Sequence, residues 1–176
     1  MRIFLLGYMG CGKSAIGKQL AKKLGFDFID SDLFIENKCK KSIPEIFEAH
    51  GEEKFRELEQ NCLKEIINIS GSRIDSSGHV ISTGGGTPCF YNNMELMNNS
   101  GITIYLQMSV ENLMNRLIHQ KKSRPLIKNL SDEELKDHIS ENLKKRENYY
   151  LQAKHIVNAE TLKIDELIGL IAWLIR

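Results

Sequence analysis

The stretch GYMGCGKS (Gly7–Ser14) decides the fold, because a strand pattern precedes it and a helix pattern follows it. Before it comes the apolar run IFLL (Ile3–Leu6). After it, apolar residues recur at helical spacing, at Ile16, Leu20 and Leu24. A strand, a glycine-rich loop ending in Lys-Ser and a helix form the arrangement of a phosphate-binding loop. We therefore predict a nucleotide-binding site at this point of the chain.

The residues of this loop suit an anion for separate physical reasons. Glycines let backbone N–H groups turn inward around an anion without Cβ atoms in the way. The helix that follows adds the partial positive charge of its N-terminus. Lys13 would reach the β- and γ-phosphates of a nucleotide, and the Ser14 hydroxyl would ligate Mg²⁺. The alternative is a glycine-rich turn in another αβ unit, which rarely lies between a strand and a helix in this way.

The composition is that of an ordinary globular protein and narrows the possible partners. The 176 residues suffice for one domain with its own core, and 41% of them are hydrophobic and 27% charged. A formal net charge of +1 gives no reason to expect nucleic acid or an anionic membrane as a partner. The apolar runs are too short for a signal peptide or a membrane span. The four cysteines show neither CxxC spacing nor clustered histidines, so we expect free thiols, no zinc site and a cytoplasmic location.

Strand patterns alternate with helix patterns along the chain. Predicted strands cover residues 1–6, 26–30, 79–83, 102–106 and 155–157. Predicted helices cover residues 13–24, 33–36, 42–50, 52–69, 92–99, 109–119, 131–150 and 162–175. Ser31 is the predicted N-cap of the second helix, and Gly51 is a predicted break between the third and the fourth. Ser42 and Ser131 begin capping-box sequences. This alternation predicts an α/β fold with a parallel sheet and helices on both faces, and ligands on such folds bind at the carboxyl ends of the strands.

Polar residues and glycines fall at these carboxyl ends. Asp30 and Asp32 follow the second strand, where Asp32 would accept the proton of an acceptor hydroxyl and Asp30 would hold magnesium through water. Aspartates in such places also commonly cap helices and solvate strand ends. The triple glycine Gly84–Gly86 follows the third strand and predicts that a ligand approaches the backbone, although a flexible turn would use the same residues.

Two arginines lie on helix faces that are otherwise apolar. Arg56 and Glu59 fall in the apolar arc of one predicted helix, and Arg146 falls in the arc of another. A buried guanidinium must be paired, because an unpaired buried charge is strongly destabilising. The two arginines could converge on the carboxylate of an acceptor, with Glu59 holding Arg56 in orientation. Alternatively, Arg56 pairs only with Glu59, and Arg146 reaches water past Tyr149 or Tyr150.

Two further features have both a structural and a functional interpretation. The basic loop Lys121–Leu126 is either a run of solvated charges or a lid over the nucleotide. In a lid, Arg124 would close over the phosphates, stabilise the transferring group and exclude water. Phe47 and Phe55 are expected in the core, although either would also serve as one wall of a substrate site.

In their order along the chain, these motifs resemble those of the shikimate kinases. They are Gly7–Ser14, Asp30-Ser31-Asp32 with Ile35-Glu36, Phe55-Arg56-x-x-Glu59, Gly84–Gly86, Arg124-Pro125-Leu126 and Arg146 before a tyrosine pair. The resemblance covers nearly the whole chain. It implies transfer of the ATP γ-phosphoryl group to the 3-hydroxyl of shikimate, giving shikimate 3-phosphate and ADP, on the way to chorismate and the aromatic amino acids.

The same resemblance implies the fold of the nucleoside monophosphate kinases. This fold is a three-layer α/β/α domain with a five-stranded parallel sheet. A single domain would span residues 1–176, with a substrate-binding helical segment at about 32–69 and a lid at about 116–128. We also expect a monomer, whose partners are the small molecules shikimate and ATP.

The arguments from the motifs and the resemblance together assign roles residue by residue, and the resemblance itself supplies those of Asp32, Arg56, Gly85, Arg116, Arg124 and Arg146. Catalytic roles fall on Lys13, Asp32 and Arg124. Acceptor binding falls on Asp32, Arg56, Gly84, Gly85, Gly86 and Arg146. ATP binding falls on Gly10, Cys11, Gly12, Lys13, Ser14, Ala15, Arg116 and Arg124, and Arg116 would stack on adenine. Magnesium would bind Ser14 directly and Asp30 through water.

The chain departs from the usual pattern of this family at a few positions. Cys11 replaces a Ser or Ala and Ala15 replaces a Thr, but neither change removes a phosphate or magnesium ligand. A thiol beside Lys13 would be open to oxidation or alkylation. Residues 158–160 replace a more Asp-rich adenine loop, and the connection at 70–78 is longer than expected.

Two other functions remain open at this point. One is another small-molecule kinase of the same fold, such as a gluconate kinase or a nucleotide kinase. A nucleotide kinase would have to bind a base and a phosphate where we place a single carboxylate. The other is a nucleotide-dependent binding or regulatory domain, which would keep Lys13 and Ser14 but would not need Asp32 and both inward arginines.

Overall fold

The computed structural model describes residues 1–69, 78–121 and 124–174, and within these ranges five strands form one parallel sheet. The strands are β1 (Arg2–Leu6), β2 (Asp27–Asp30), β3 (His79–Ser82), β4 (Ile102–Gln107) and β5 (His155–Asn158). Their order across the sheet is β2-β3-β1-β4-β5, so that β1 is central and bonded on both sides. The predicted parallel sheet is therefore confirmed, and the segments that follow β1, β2 and β3 leave from the same edge.

Seven α-helices connect and cover the strands in the described part of the chain. They are α1 (Lys13–Leu24), α2 (Ser31–Cys39), α3 (Ile43–Asn68), α4 (Asn93–Ser100), α5 (Val110–Ile118), α6 (Asp132–Tyr150) and α7 (Ile164–Leu174). Ile3 and Leu5 of β1 share a core with α1, α5, α6 and α7, whereas Phe4 and Leu6 share one with α3 and α4. Successive strand residues point to opposite faces, so the apolar β1 supports both helical layers of an α/β/α fold.

The two helices that carry the inward arginines begin as predicted. Ser42 and Glu45 form a capping box at the start of α3, where the Glu45 carboxylate accepts a hydrogen bond from the Ser42 amide at 2.7 Å. Ser131 and Glu134 form a second box at the start of α6, with a matching bond of 2.7 Å. Each box satisfies amides that the first turn would otherwise leave unpaired.

The structure corrects the predicted start of α2 and the predicted break in α3. Asp30, not Ser31, caps α2, because its Oδ1 accepts hydrogen bonds from the amides of Asp32 at 3.1 Å and Leu33 at 3.4 Å. Ser31 is the first helical residue. The break at Gly51 is a kink, with φ 75° and ψ 176°, and helical structure resumes directly after it. Most other element bounds differ from the prediction by one or two residues.

Parts of two predicted segments lie outside the described residues. In the connection at 70–78, only Gly78 is described, and in the basic loop Lys122 and Ser123 are not. Two short 3₁₀ helices, Thr87–Cys89 and Pro125–Ile127, lie in the described ranges. None of the helices described is long and apolar enough to cross a membrane.

Candidate active site

The glycine-rich loop joins β1 to α1 and takes backbone conformations that favour glycine. Gly7, Gly10 and Gly12 have φ values of 139°, 87° and 102°. Gly12 precedes the first helical residue and provides no side chain to cap α1. The amides at the start of the helix are therefore open to an anion, as the sequence predicted.

Lys13 and Cys11 are both buried in this loop. The Lys13 amine donates hydrogen bonds to the main-chain oxygens of Gly7 at 2.7 Å and Tyr8 at 3.1 Å. The Cys11 side chain is fully buried, and its Sγ lies 3.9 Å from the Lys13 Nζ. The expectation that this thiol is open to alkylation is therefore wrong for the folded chain, because reagents need access to the sulfur.

Ser14 and Asp30 meet where β1, β2 and β3 end. The Ser14 hydroxyl donates to Asp30 Oδ2 at 2.7 Å and lies 3.3 Å from the Ser82 hydroxyl. Asp30 thus caps α2 with one carboxylate oxygen and contacts Ser14 with the other. A hydroxyl and a carboxylate side by side suit Mg²⁺, which usually keeps several waters and takes its remaining ligands from substrate phosphates. The described residues contain no cluster of three or more His, Cys, Asp or Glu that could hold a metal by itself.

Asp32 lies in the first turn of α2 among other carboxylates. Burial, followed by the charges of Asp30 and Glu59, raises the pKa of Asp32 to about 6, against an opposing effect of Lys13. A Cβ atom at Gly84 would lie 2.7 Å from Asp32 Oδ1 and 2.9 Å from Glu59 Oε1. Only glycine at position 84 leaves room for both carboxylates.

Arg56 is buried on α3 and bonded to two carboxylates of its own helix. Its Nη1 donates to Glu59 at 2.9 Å, while its Nη2 and Nε donate to Glu52 at 3.0 and 3.3 Å. Glu59 is 2% exposed, and its second oxygen accepts a hydrogen bond from the Thr87 hydroxyl at 2.6 Å. The predicted contact of Arg56 with Glu59 is present. The roles of Glu52 and Thr87 escaped the sequence analysis, although Glu52 stands at a helical i,i+4 spacing that could have indicated it.

Aromatic rings surround the Arg56 guanidinium. Its Cζ lies 4.1 Å from the ring centre of Phe90, 5.2 Å from that of Phe55 and 5.9 Å from that of Phe47. Phe47 and Phe55 also contact each other, with ring centres 4.4 Å apart. The expectation of a core position is therefore confirmed, because both rings pack in one apolar cluster. A role as one wall of a substrate site stays a prediction. Nothing in the sequence pattern indicated Phe90.

The triple glycine lies against both arginines. A Cβ atom at Gly86 would lie 2.6 Å from Arg56 Nη1, and one at Gly85 would lie 3.5 Å from Arg146 Nη1. With Gly84 beside Asp32, each glycine faces a different predicted site residue. At Gly84 and Gly86 a side chain would displace charged groups, whereas at Gly85 an added Cβ would make only ordinary van der Waals contact with Arg146.

Arg146 of α6 lies over the phosphate-binding loop. Its Cζ is 5.5 Å from the ring centre of Tyr8. Within residues 1–69, 78–121 and 124–174, no carboxylate forms an ion pair with it. Tyr150 donates to the main-chain oxygen of Gly85 at 2.5 Å. Arg146 thus brings an unneutralised positive charge to the glycine segment.

An open cavity of about 330 Å³ lies between these elements. It is lined by Met9, Gly10, Gly12, Lys13, Ser14, Ala15, Asp30, Asp32, Ser82, Thr83, Gly85, Gln120 and Arg124. Burial lowers the pKa of Arg124, and its guanidinium bonds to Gln120 Oε1 at 2.9 and 3.2 Å. Most predicted site residues line this space, but Cys11, Arg56, Gly84, Gly86, Arg116 and Arg146 are not among the lining residues.

Arg116 and Glu160 flank the other side of the loop. Arg116 Nη1 donates to the main-chain oxygens of Cys11 at 3.2 Å and Gly10 at 3.4 Å. Glu160 accepts from the amide and hydroxyl of Ser109, at 2.8 and 2.7 Å, and these bonds lower its pKa to about 2. The segment after β5 is thereby tied to the start of α5, near Arg116.

Comparison with known proteins identifies the family. The sequence profile described as shikimate kinase matches residues 9–172. The chain belongs to the shikimate kinase family. The family resemblance drawn from the motifs is therefore confirmed. Shikimate kinases phosphorylate shikimate with ATP in aromatic amino acid biosynthesis, and the chain is an enzyme of this class.

Individual shikimate kinases match over almost their whole length. The shikimate kinase of Azobacteroides pseudotrichonymphae genomovar. CFP2 is 52% identical over 95% of each chain. A crystal structure of shikimate kinase from Bacteroides thetaiotaomicron superposes with a TM-score of 0.89 and 42% identity, covering 99% of this chain and 98% of the other. The shikimate kinase of Acinetobacter baumannii, solved in complex with shikimate, gives a TM-score of 0.82 at 33% identity, covering 99% and 92%. These matches confirm the α/β kinase fold.

Proposed function

We propose that this chain transfers the γ-phosphoryl group of ATP to the 3-hydroxyl of shikimate, giving shikimate 3-phosphate and ADP, at the site built around Gly84–Gly86. The observation that carries this proposal is the meeting of Asp32, Arg56 and Arg146 on these glycines, beside the cavity lined by the phosphate-binding loop. This arrangement offers a base and two guanidinium groups to an acceptor that has both a hydroxyl and a carboxylate.

Arg56 and Arg146 would bind the shikimate carboxylate. Glu52 and Glu59 take the Nε hydrogen and one hydrogen on each terminal nitrogen of Arg56, so one N–H on Nη1 and one on Nη2 stay available. These two donors would be available to a carboxylate, which guanidinium groups commonly bind with two N–H groups. Glu52 and Glu59 more than offset the charge of Arg56. Arg146 forms no ion pair with a carboxylate of the described residues, so it is the arginine whose positive charge would attract an anion.

Asp32 would accept the proton of the attacking hydroxyl. With its pKa at about 6, the carboxyl is mostly ionised at neutral pH but remains a better base than an ordinary aspartate. A loose phosphoryl transfer needs the proton to leave only late, so a carboxylate suffices. The amide groups of the glycine segment would hold the acceptor against Asp32.

The nucleotide would lie along the loop that joins β1 to α1. The residues in contact with its phosphates would be Gly10, Cys11, Gly12, Lys13, Ser14 and Ala15, with Arg124 closing from the lid at about 116–128. Lys13 would exchange its bonds to Gly7 and Tyr8 for phosphate oxygens, and Arg116 would stack on adenine. Arg124 would neutralise charge on the transferring group and exclude water.

Ser14 and Asp30 would hold Mg²⁺, directly and through water respectively. The ion, when bound, neutralises charge on the β- and γ-phosphates. Asp30 keeps the Ser14 hydroxyl in place at 2.7 Å and also fixes the start of α2, on which Asp32 stands. A single residue therefore positions both the proposed metal ligand and the proposed base.

We also propose that the protein is a single-domain, cytoplasmic monomer. Its acceptor-binding segment would span about residues 32–69. Its four cysteines are free thiols, as expected in a reducing compartment. The formal net charge of the protein is only +1, which gives no electrostatic reason to expect self-association or binding to nucleic acid.

The decisive experiment measures ADP release from Mg-ATP with and without shikimate. Gluconate and nucleoside monophosphates serve as control acceptors, and the position of the phosphate is read from the product by NMR. We expect turnover with shikimate alone and a product phosphorylated at the 3-hydroxyl. Equal turnover with a nucleoside monophosphate, or a phosphate on another hydroxyl, would refute the proposed acceptor geometry.

A further inference from the structure

Phe90 makes the closest aromatic contact with a charged group in the acceptor site. The guanidinium carbon of Arg56 lies 4.1 Å from its ring centre, against 5.2 and 5.9 Å for Phe55 and Phe47. We propose that Phe90 is a positioning residue of the acceptor site, whose ring holds the Arg56 guanidinium in the plane that receives the carboxylate. This inference rests on the proposed role of Arg56.

The backbone around Phe90 is fixed to the acceptor site. It follows the short helix Thr87–Cys89, whose amides at both ends donate to oxygens of the glycine segment: Thr87 to Gly84 at 3.2 Å and Cys89 to Gly86 at 2.9 Å. The main-chain oxygen of Phe90 accepts from the Asn93 amide at 3.3 Å. The ring is thus held by the same segment that contacts Asp32, Arg56 and Arg146.

The contacts of Arg56 divide between the plane and the face of its guanidinium. Carboxylates of Glu52 and Glu59 accept hydrogen bonds within the plane. These bonds leave the face of the group to the aromatic rings, and Phe90 is nearest. A ring on the face attracts the cation and keeps water away from it. The guanidinium then cannot tilt without losing this contact, so its remaining N–H groups keep one direction.

Core packing does not account for Phe90. Its side chain is half-buried and lies outside the three apolar clusters that the described residues form. Phe47 and Phe55, by contrast, belong to one of these clusters with Ile35 and Ile46. The main contact described for the Phe90 ring is a charged group, which favours a role at the site over a role in the core.

The test replaces the ring and measures the kinetics of both substrates. Phe90→Leu and Phe90→Met keep an apolar side chain but remove the aromatic face, and we expect the KM for shikimate to rise about threefold to tenfold. The KM for ATP should stay the same, and Phe90→Tyr should restore the value for shikimate. Tyr91→Leu is the matched control, because Tyr91 is an exposed neighbour that the acceptor site does not use.

A double-mutant cycle with Arg56→Lys separates positioning from a general structural effect. If Phe90 acts through Arg56, adding Phe90→Leu to Arg56→Lys should raise the KM for shikimate by clearly less than it does alone. The inference would be overturned if the KM of the double variant rose by the full product of the two single-variant increases. It would also be overturned if Arg56→Lys raised the KM for shikimate and Phe90→Leu left it unchanged. If Arg56→Lys itself leaves the KM unchanged, the proposed carboxylate site fails first, and the role of Phe90 fails with it.

Discussion

The Tyr150 hydroxyl donates a hydrogen bond to the main-chain oxygen of Gly85 at 2.5 Å. This bond joins the end of α6 to the glycine segment after β3. Tyr150 is fully buried, and its ring centre lies 5.1 Å from that of Tyr105 in β4. Since Arg146 stands one turn earlier on α6, the bond also sets how that arginine faces Gly85.

Removing this hydroxyl should affect both stability and acceptor binding. Tyr150→Phe leaves the Gly85 oxygen without its partner, and we expect the free energy of unfolding to fall by about 1–2 kcal/mol. The KM for shikimate should rise as well, because the glycine segment loses its tie to α6, while the KM for ATP stays nearly constant. Urea denaturation and steady-state kinetics measure the two effects.

Tyr149→Phe is the control for this change, since Tyr149 is exposed and only one residue away. It should leave both measurements as they are. A Tyr150→Phe variant with native stability and a native KM for shikimate would show that the 2.5 Å contact has no energetic importance.

Gly84 should tolerate no side chain. In Gly84→Ala, the new Cβ would meet Asp32 Oδ1 at 2.7 Å, and Glu59 Oε1 and the Thr87 hydroxyl oxygen at 2.9 Å. One of these groups must move, so we expect destabilisation by about 1–3 kcal/mol and loss of most shikimate-dependent turnover. Thermal unfolding and ADP release would be compared with those of the parent chain.

Gly169→Ala in α7 is the matched control, because nothing lies within 4 Å of its added Cβ. That change should be neutral or stabilise the fold by up to about 1 kcal/mol. If Gly84→Ala behaved like Gly169→Ala, the close packing of Gly84 against the carboxylates would not hold in solution.

The fold and the phosphate-binding loop followed from local sequence. In β1, the residues from Ile3 to Leu6 are all apolar, and in the loop that follows, glycines stand at the positions where φ is positive. Both features can be read from neighbouring residues without knowledge of contacts between distant segments. Arg56 and Glu59 could be found because the helical period places both on the buried side of α3. Asp30 caps α2 with one carboxylate oxygen, as aspartates at strand ends commonly do, and its other oxygen accepts a hydrogen bond from Ser14. Its role toward magnesium stays a prediction.

The missing parts of the site depend on contacts between distant segments. Phe90 lies in irregular chain beyond Thr87–Cys89, and no periodicity relates it to Arg56 on α3. The position of Arg146 over Tyr8 likewise depends on how α6 packs against the loop after β1. The burial of Cys11 was missed because loop residues are usually exposed, whereas this sulfur lies beneath Gly7.

The pKa of Asp32 predicts opposite effects of pH on stability and activity. The pKa is raised from 3.8 to about 6, so the folded chain binds this proton more tightly than the unfolded chain. The proton therefore stabilises the fold below about pH 4, and this stabilisation is lost as the pH rises through about 6. Asp32→Asn should raise the free energy of unfolding by about 1–3 kcal/mol at pH 7.5 and by nearly nothing at pH 3.5.

Turnover should follow the ionised form of the same group. The kcat/KM for shikimate should fall as the pH drops through about 6, because a protonated Asp32 cannot accept the hydroxyl proton. Asp32→Asn should lower kcat while leaving ATP binding largely intact. An equal loss of ATP affinity would point instead to a role in magnesium binding or folding.

Arg146 offers the sharpest test of the carboxylate site. Arg146→Lys keeps the positive charge but loses the planar fork, so we expect acceptor binding to weaken by about 1.5–3 kcal/mol with little change in ATP binding. Lysine also lacks a planar group to place over the Tyr8 ring, which now lies 5.5 Å from the guanidinium carbon. Titration with shikimate in the presence and absence of a non-hydrolysable ATP analogue measures both affinities.

Lys145→Ala is the matched control for Arg146→Lys, because Lys145 is exposed on the same turn of α6. It removes a charge from the helix without touching the glycine segment, and it should leave both affinities unchanged. If Lys145→Ala weakened shikimate binding as much as Arg146→Lys does, general electrostatic attraction would explain the effect. If neither variant changed the affinity for shikimate, Arg56 alone would have to bind the carboxylate. The positive charge of Arg146 would then interact with the phosphates of the nucleotide instead.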